Sequence, residues 1–372
     1  MSPMEQAVFP VSSKVATTLR LCVREPASAT RREVSTALAA VEDWSATLHV
    51  ATQHRIVGYI ARAAAESNAA LPHPVQQTLR HLGLVQTGEG LRMESHLRRI
   101  ADAFHTADIP VIVLKGPALA RTLYPAIALR PYADLDLTIR DDDEDAAIQV
   151  LLDVGFHEVV DPPERARRSQ RSHGGHEGHF HRRFETADDS VLVELHLDPL
   201  QLGLKAVCEA GRWQRAQPLP GVPGALMLGP EDQVVQLSVH AHKHGFERLI
   251  WLKDLDLLVR QHGDTLNWGL VRKVARAEGV CGSVWYALWL TRELLGAPLA
   301  ERQLKALRPA APVRVLYRCV WPVRSVAGLT ARMHRRAVQF RAAESLRGML
   351  PATLLMGRRW ARTRALVEVA LG

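Results

Sequence analysis

Cysteine is scarce in this sequence: Cys22, Cys208, Cys281 and Cys319 lie far apart, and no two of them form a CxxC pair. That spacing suggests neither a thiolate zinc site nor a disulfide framework, and leaves the cysteines as core thiols. Long apolar runs are also missing. No stretch approaches the roughly 18 to 20 uncharged residues that a membrane span needs, and the opening MSPMEQAVFPVSSK lacks the basic-then-apolar order of a secretory signal. The expected location is therefore the cytoplasm. No internal repeat is visible, so the chain is not a repeat array. What is present is a globular composition. With 47% hydrophobic and 23% charged residues in 372, the chain can bury an ordinary core and should form two or three folding units.

The formal charge of +8 is unevenly placed. Residues 301–372 hold 15 Arg and Lys against 3 Glu, so the basicity belongs to the last segment and the first 300 residues are mildly acidic. The basic segment is expected to touch polyanions weakly and to be dispensable for nucleotide binding; an Arg-covered helical face is the plainer reading.

Residues 1–105 read as helical, because TRREVSTALAAVEDW, HRIVGYIARAAAES and GLRMESHLRRIADAFHTA repeat apolar residues at spacings of three and four. The period changes at IPVIVLKG, a short apolar run ended by glycine that fits a buried strand. PALARTLY follows as a short helix with Pro117 at its start. In RPYADLDLTI, apolar Ala133, Leu135, Leu137 and Ile139 alternate with Asp134, Asp136 and Thr138, the pattern of a strand with one apolar and one acidic face. DDEDAAIQVLLDVGF is a helix stopped by Gly155, and FHEVV a further strand. A polar, His-rich stretch then runs to about Ser190. SVLVELHL alternates again, with Leu192, Glu194 and His196 opposite Val191, Val193, Leu195 and Leu197. From Gly229 to about residue 300 the helical period returns as a bundle.

Asp134 and Asp136, two apart on one strand, project from the same face with Cα atoms roughly 6.5 to 7 Å apart, close enough to share one or two cations. Without a cation, two carboxylates about 5 Å apart repel by roughly 3 kcal/mol at an effective dielectric near 20. Replacing either by Asn is therefore expected to stabilise the metal-free protein. Hard oxygen ligands suit Mg²⁺, the usual partner of phosphates undergoing transfer. The plain alternative is a solvated edge strand. Two neighbours weigh against it: LKGPAL upstream offers a strand, a glycine turn and a helix start suited to phosphate, and Glu194 supplies a third carboxylate mid-strand.

Taken in order, VLKGPALARTLYP, RPYADLDLTI, LLDVGF, VLVELHLDPL and RLIWLKDLDLL with NWGLVRKVA resemble the bacterial uncharacterised nucleotidyltransferase family of the polymerase-beta-like superfamily, over roughly residues 40–300. The resemblance implies an α+β fold: a minimal nucleotidyltransferase palm of mixed sheet and helices, flanked by N- and C-terminal helical segments. The divisions are a helical region at 1–105, the palm core at 106–200, an acceptor-side helical bundle at 201–300 and a basic Arg-rich segment at 301–372. It implies Asp134, Asp136 and Glu194 as catalytic and Mg²⁺-binding residues, with Gly116 as the turn glycine of the nucleotide site. A nucleoside triphosphate is the co-substrate. Metal lowers the pKa of an acceptor hydroxyl, Glu194 takes its proton, and attack on the α-phosphorus releases pyrophosphate. The acceptor, a small molecule, a peptide or protein, or an RNA, is not written in the sequence. One departure stands out: Pro117 replaces the small residue that usually follows the turn glycine, and it offers no N–H.

Lys115 is a candidate phosphate clamp or a strand-end lysine in water. Arg130 is a second candidate clamp, or a salt bridge positioning Asp134 or Asp136. His173, His176, His179 and His181 have a zinc-like spacing, but their Gly- and Arg-rich surroundings suit a loop. His240 and His244 lie one helical turn apart without a zincin glutamate, so they line the cleft or pack in the bundle. Asp254 lines the acceptor pocket or makes a salt bridge, and Trp251, Trp268, Trp285 and Trp289 belong to the core. The rival to an enzyme is a catalytically inactive nucleotide- or nucleic-acid-binding protein on the same fold; retention of all three carboxylates argues against it.

Overall fold

The computed structural model describes residues 13–159, 181–200, 209–311 and 314. His173, His176, His179 and most of the basic segment lie outside these residues.

The N-terminal spacing does produce helices: α1 (Ser13–Val23), α2 (Arg31–Ala39), α3 (Trp44–Gln53), α4 (Val57–Ser67) and α5 (His73–Thr106). Local chemistry fixes several starts. Thr30 and Glu33 form a reciprocal capping box at α2, and Asp43 accepts from the Ala46 N–H at α3. Helix α5 is longer than its sequence suggests, because it runs through Gly83, Gly88 and Gly90. Each such glycine costs a helix up to about 1 kcal/mol. Packing offsets this: a Cβ on Gly90 would stand 2.7 Å from the Ile127 side chain, and Met93, Leu97, Ile100 and Phe104 bury themselves against the sheet.

The sheet begins with β1 (Val111–Leu114), followed by the short helix α6 (Gly116–Thr122) and β2 (Asp134–Thr138). Next come α7 (Glu144–Asp153), β3 (Phe156–Glu158), β4 (His181–Thr186), β5 (Leu192–His196), α8 (Glu209–Arg215), β6 (Gln217–Pro218) and β7 (Ala225–Met227). The seven strands lie in the order β3-β4-β5-β2-β1-β7-β6. Strand β2 runs antiparallel to β1 and parallel to β5, so the sheet is mixed and its acidic strands are central. Strand β4 falls in the stretch read from sequence as irregular. Its one large apolar residue is Phe184, fully buried, and its pairing with β5 over five positions makes it a strand.

Four bundle helices follow, α9 (Pro230–Lys243), α10 (Leu249–His262), α11 (Trp268–Ala277) and α12 (Cys281–Leu295), and then the shorter α13 (Glu301–Leu307). One apolar cluster lies between the sheet, α5 and α7. A second takes side chains from Ala16 to Leu79 and again from Val234 to Leu307, and Trp251, Trp268, Trp285 and Trp289 pack in or against it. Among the described residues no helix is long and apolar enough to cross a membrane.

Candidate active site

Strands β2 and β5 are paired in parallel so that Asp136 lies beside Glu194, Asp134 beside Leu192 and Thr138 beside His196. Neighbouring strands are about 4.8 Å apart, and Asp134 and Asp136 share a strand face, so three carboxylates gather on one patch of the central sheet. Ligand atoms of Asp136, Glu194 and His196 lie within 4.8 Å of one another. Asp136 is buried, and its Oδ1 accepts from the Lys115 ammonium at 2.8 Å and bonds to Nε2 of His196 at 2.9 Å. Lys115 reaches it because the chain turns sharply after β1: its backbone has φ 50° and ψ −122°, a conformation that side chains rarely adopt. The backbone carbonyl of His196 accepts from Thr138 Oγ1 at 2.8 Å.

The electrostatics separate the three acids. Burial would raise the Asp136 carboxyl, but Lys115 and His196 hold it well below the usual carboxylate range. Asp134 moves the other way, raised by burial and by the Asp136 charge. Burial and the Asp136 and Asp134 charges push Glu194 up to about 7. Like-charge repulsion thus operates on Asp134 and Glu194. At Asp136 it is outweighed, so the expectation that Asn at either aspartate stabilises the metal-free protein is corrected for that residue.

Whether the residues fit a cation is decided by their unused oxygens. Among the described residues Oδ2 of Asp136 and both oxygens of Asp134 accept no hydrogen bond, and Glu194 has only the His196 ring, at 3.6 Å. Several hard, largely buried acceptors without donors suit a divalent cation. The model of an uncharacterised nucleotidyltransferase family matches residues 40–296, more than half of the chain. The chain belongs to that family. No curated protein matches it.

Other residues expected at the nucleotidyltransferase site are placed as follows. Lys115 does not point into water: its side chain is 8% exposed and engaged by Asp136. Gly116 opens α6, where a Cβ would stand 2.6 Å from Cβ of Tyr132, so close packing requires glycine there while the unusual φ falls on Lys115. Among the described residues Arg130 makes no salt bridge to Asp134 or Asp136. Its fork closes on Asp254, Nε to Oδ1 at 2.6 Å and Nη2 to Oδ2 at 2.8 Å, and Tyr124 donates to the same carboxylate at 2.6 Å. Arg130 therefore acts on Asp134 only as a nearby positive charge. The reason is geometric: η1 (Ile127–Leu129), a short 3₁₀ turn, aims the following residue at α10, and a buried fork is best satisfied by a bidentate carboxylate. For Asp254 the salt-bridge reading holds.

Sequence reasoning placed His196 on the acidic face of β5 without giving it a role; its signal was the alternation continuing two residues past Glu194. Lys243, near the end of α9, went unremarked between His240 and His244, yet its charge is felt by both Glu194 and His196.

Proposed function

We propose that the protein is a Mg²⁺-dependent nucleotidyltransferase that moves a nucleoside monophosphate from a nucleoside triphosphate to a hydroxyl or phosphate acceptor and releases pyrophosphate. The observation that carries this reading is the set of three carboxylates on adjacent central strands, rich in oxygens that lack donors, with a buried lysine beside it. Asp134, Asp136 and Glu194 would hold one or two magnesium ions. When bound, these ions neutralise the triphosphate and acidify the acceptor hydroxyl. His196 bonds Asp136 Oδ1, and among the described residues Oδ2 has no donor; His196 would support a ligand in the way that outer-shell partners do.

Within the chain, the division of labour follows from the charges. Asp136 stays ionised across the physiological range and serves as the permanent anion. Glu194, which burial and the neighbouring carboxylates raise to about 7 in the metal-free protein, is the group placed to take a proton from the acceptor hydroxyl. Lys115 balances Asp136 and places a positive charge beside the incoming phosphates. The location proposed with this reading is the cytoplasm. The acceptor is a small molecule, a peptide or protein, or an RNA.

The test is thermal denaturation with each of the four nucleoside triphosphates and Mg²⁺ at millimolar concentrations, followed by mass spectrometry of products formed with host extract. Ligand at 100 times its Kd stabilises by about 2.7 kcal/mol, a shift of several degrees. Stabilisation without any product would favour the inactive nucleotide-binding protein. No stabilisation by any of the four would refute nucleotide transfer.

A further inference from the structure

The turn between α3 and α4 carries a residue the carboxylate site does not use. Arg55, between the caps His54 and Ile56, has a φ of 56°. A non-glycine residue is strained there and keeps that conformation only where its surroundings impose it. Here the cap of α3 imposes it: the Ile56 N–H closes back on the Ala51 carbonyl at 2.9 Å, with Arg55 as the left-handed residue between. The Leu249 backbone N–H donates to Nδ1 of buried His54 at 3.2 Å, which clamps the turn to the start of α10.

That clamp brings Arg55 alongside Arg248, the residue capping α10. The Arg248 guanidinium lies over the Trp251 ring, 5.3 Å from its centroid, and Trp251 is itself wedged against His240 and His244, each 5.1 Å away. The arginine thus rests on a preformed aromatic floor. Arg130 is a third nearby cation, already closed on Asp254. Among the described residues no hydrogen bond or ion pair engages the partly buried Arg55 guanidinium. Burial and the Arg248 charge lower it to about 10, with Asp134 opposing. Crowded guanidinium forks of this kind match an oxyanion.

We infer that Arg55 and Arg248 form a phosphate-binding site at the Asp134 end of the carboxylate set. Its ligand is a phosphate oxyanion, borne by the triphosphate tail or by the acceptor. The inference deepens the transfer reading and rests on it only for the source of that phosphate.

The test uses the full chain. Calorimetry with inorganic phosphate and with tripolyphosphate, in the absence of metal, compares wild type with Arg55→Asn, Arg55→Lys and Arg248→Gln. Asn tolerates the left-handed backbone, so Arg55→Asn should melt no lower than wild type while binding tripolyphosphate about tenfold or more weakly. Arg55→Lys should keep part of the affinity and Arg248→Gln lose most of it. Wild type that binds neither anion, or an Arg55→Asn variant that binds them equally well, overturns the site.

Two further arms separate the sources. A tail phosphate requires Arg55→Asn to weaken Mg²⁺-nucleoside triphosphate and spare nucleoside monophosphate. An acceptor phosphate requires triphosphate affinity to hold, with inorganic phosphate still binding to nucleotide-loaded wild type and not to the loaded variant. Tripolyphosphate binding through Arg55 in a protein that takes no Mg²⁺-nucleotide upholds the site and refutes transfer. Nucleotide binding at full strength in Arg55→Asn, with no phosphate binding in any form, sinks the site and leaves transfer standing.

Discussion

Replacing Asp134 and Asp136 one at a time by Asn should move the stability of the metal-free protein in opposite directions. Asn is nearly isosteric, so packing is held and only charge changes. At Asp136 the lost charge leaves the Lys115 ammonium, 8% exposed, facing a neutral amide oxygen in place of a carboxylate. Charge-assisted hydrogen bonds are worth roughly twice neutral ones, and two of them meet at Oδ1, so the loss is about 2 kcal/mol. At Asp134 no donor is lost. Two carboxylates about 6 Å apart repel by about 3 kcal/mol at an effective dielectric of 20; Lys115, Arg55 and Arg130 offset part of this, leaving a gain of about 1 kcal/mol in the variant. For a protein of this size 1 kcal/mol moves the melting temperature by about 2 °C, so Asp136→Asn should melt about 4 °C lower and Asp134→Asn about 2 °C higher. The assay is differential scanning calorimetry in EDTA at pH 7.5. Shifts of the same sign, in either direction, would show that Lys115 and His196 do not distinguish the two aspartates. With Mg²⁺ and nucleotide added, both variants should lack the ligand-induced stabilisation expected of wild type.

Glu194 is raised from 4.5 to about 7 by burial and the neighbouring carboxylates, so the folded protein holds its proton more tightly than the unfolded chain does. That stability is complete below pH 4.5 and lost as pH rises through about 7. Discounted for partial exposure, it amounts to about 2 kcal/mol, and urea titrations should show wild type losing this much relative to Glu194→Gln over that window; parallel curves would contradict the shift. Arg130→Met should cost about 3 to 5 kcal/mol by stranding the buried Asp254, while Arg130→Met with Asp254→Leu should recover most of it, as read from a double-mutant cycle. Gly116→Ala should cost about 1 to 3 kcal/mol through the Tyr132 contact, and an unchanged urea midpoint would mean that Tyr132 yields freely.

What was legible in the sequence was whatever repeats locally. Strands β2 and β5 announce themselves because an alternating strand writes its two faces into consecutive residues, and the three carboxylates came with them. The parallel register that sets Asp136 beside Glu194 depends on a chain excursion of nearly sixty residues and has no local trace. Arg130 and Asp254 are 124 residues apart, and nothing near either names the other. Lys115 was ambiguous for a different reason: its direction is set by an unusual backbone angle at one residue, which composition does not encode. Strand β4 was missed because every residue in it but Phe184 is polar or charged, and its stability comes from pairing rather than from its own apolar content.

The shared apolar cluster of the first and last helices has a consequence for synthesis. Glu25 binds Lys253, 228 residues later, and Ser28 donates to the Gly296 carbonyl, 268 residues later. At roughly 5 to 20 residues per second, the inner faces of α1 to α4 leave the ribosome about 10 to 50 seconds before their partners exist. The sheet between them is finished first. During that interval the part of the α1–α4 cluster that later meets α10 and α12 lacks those partners, so a chain truncated before α12 is expected to be less stable and more prone to aggregate than the whole protein.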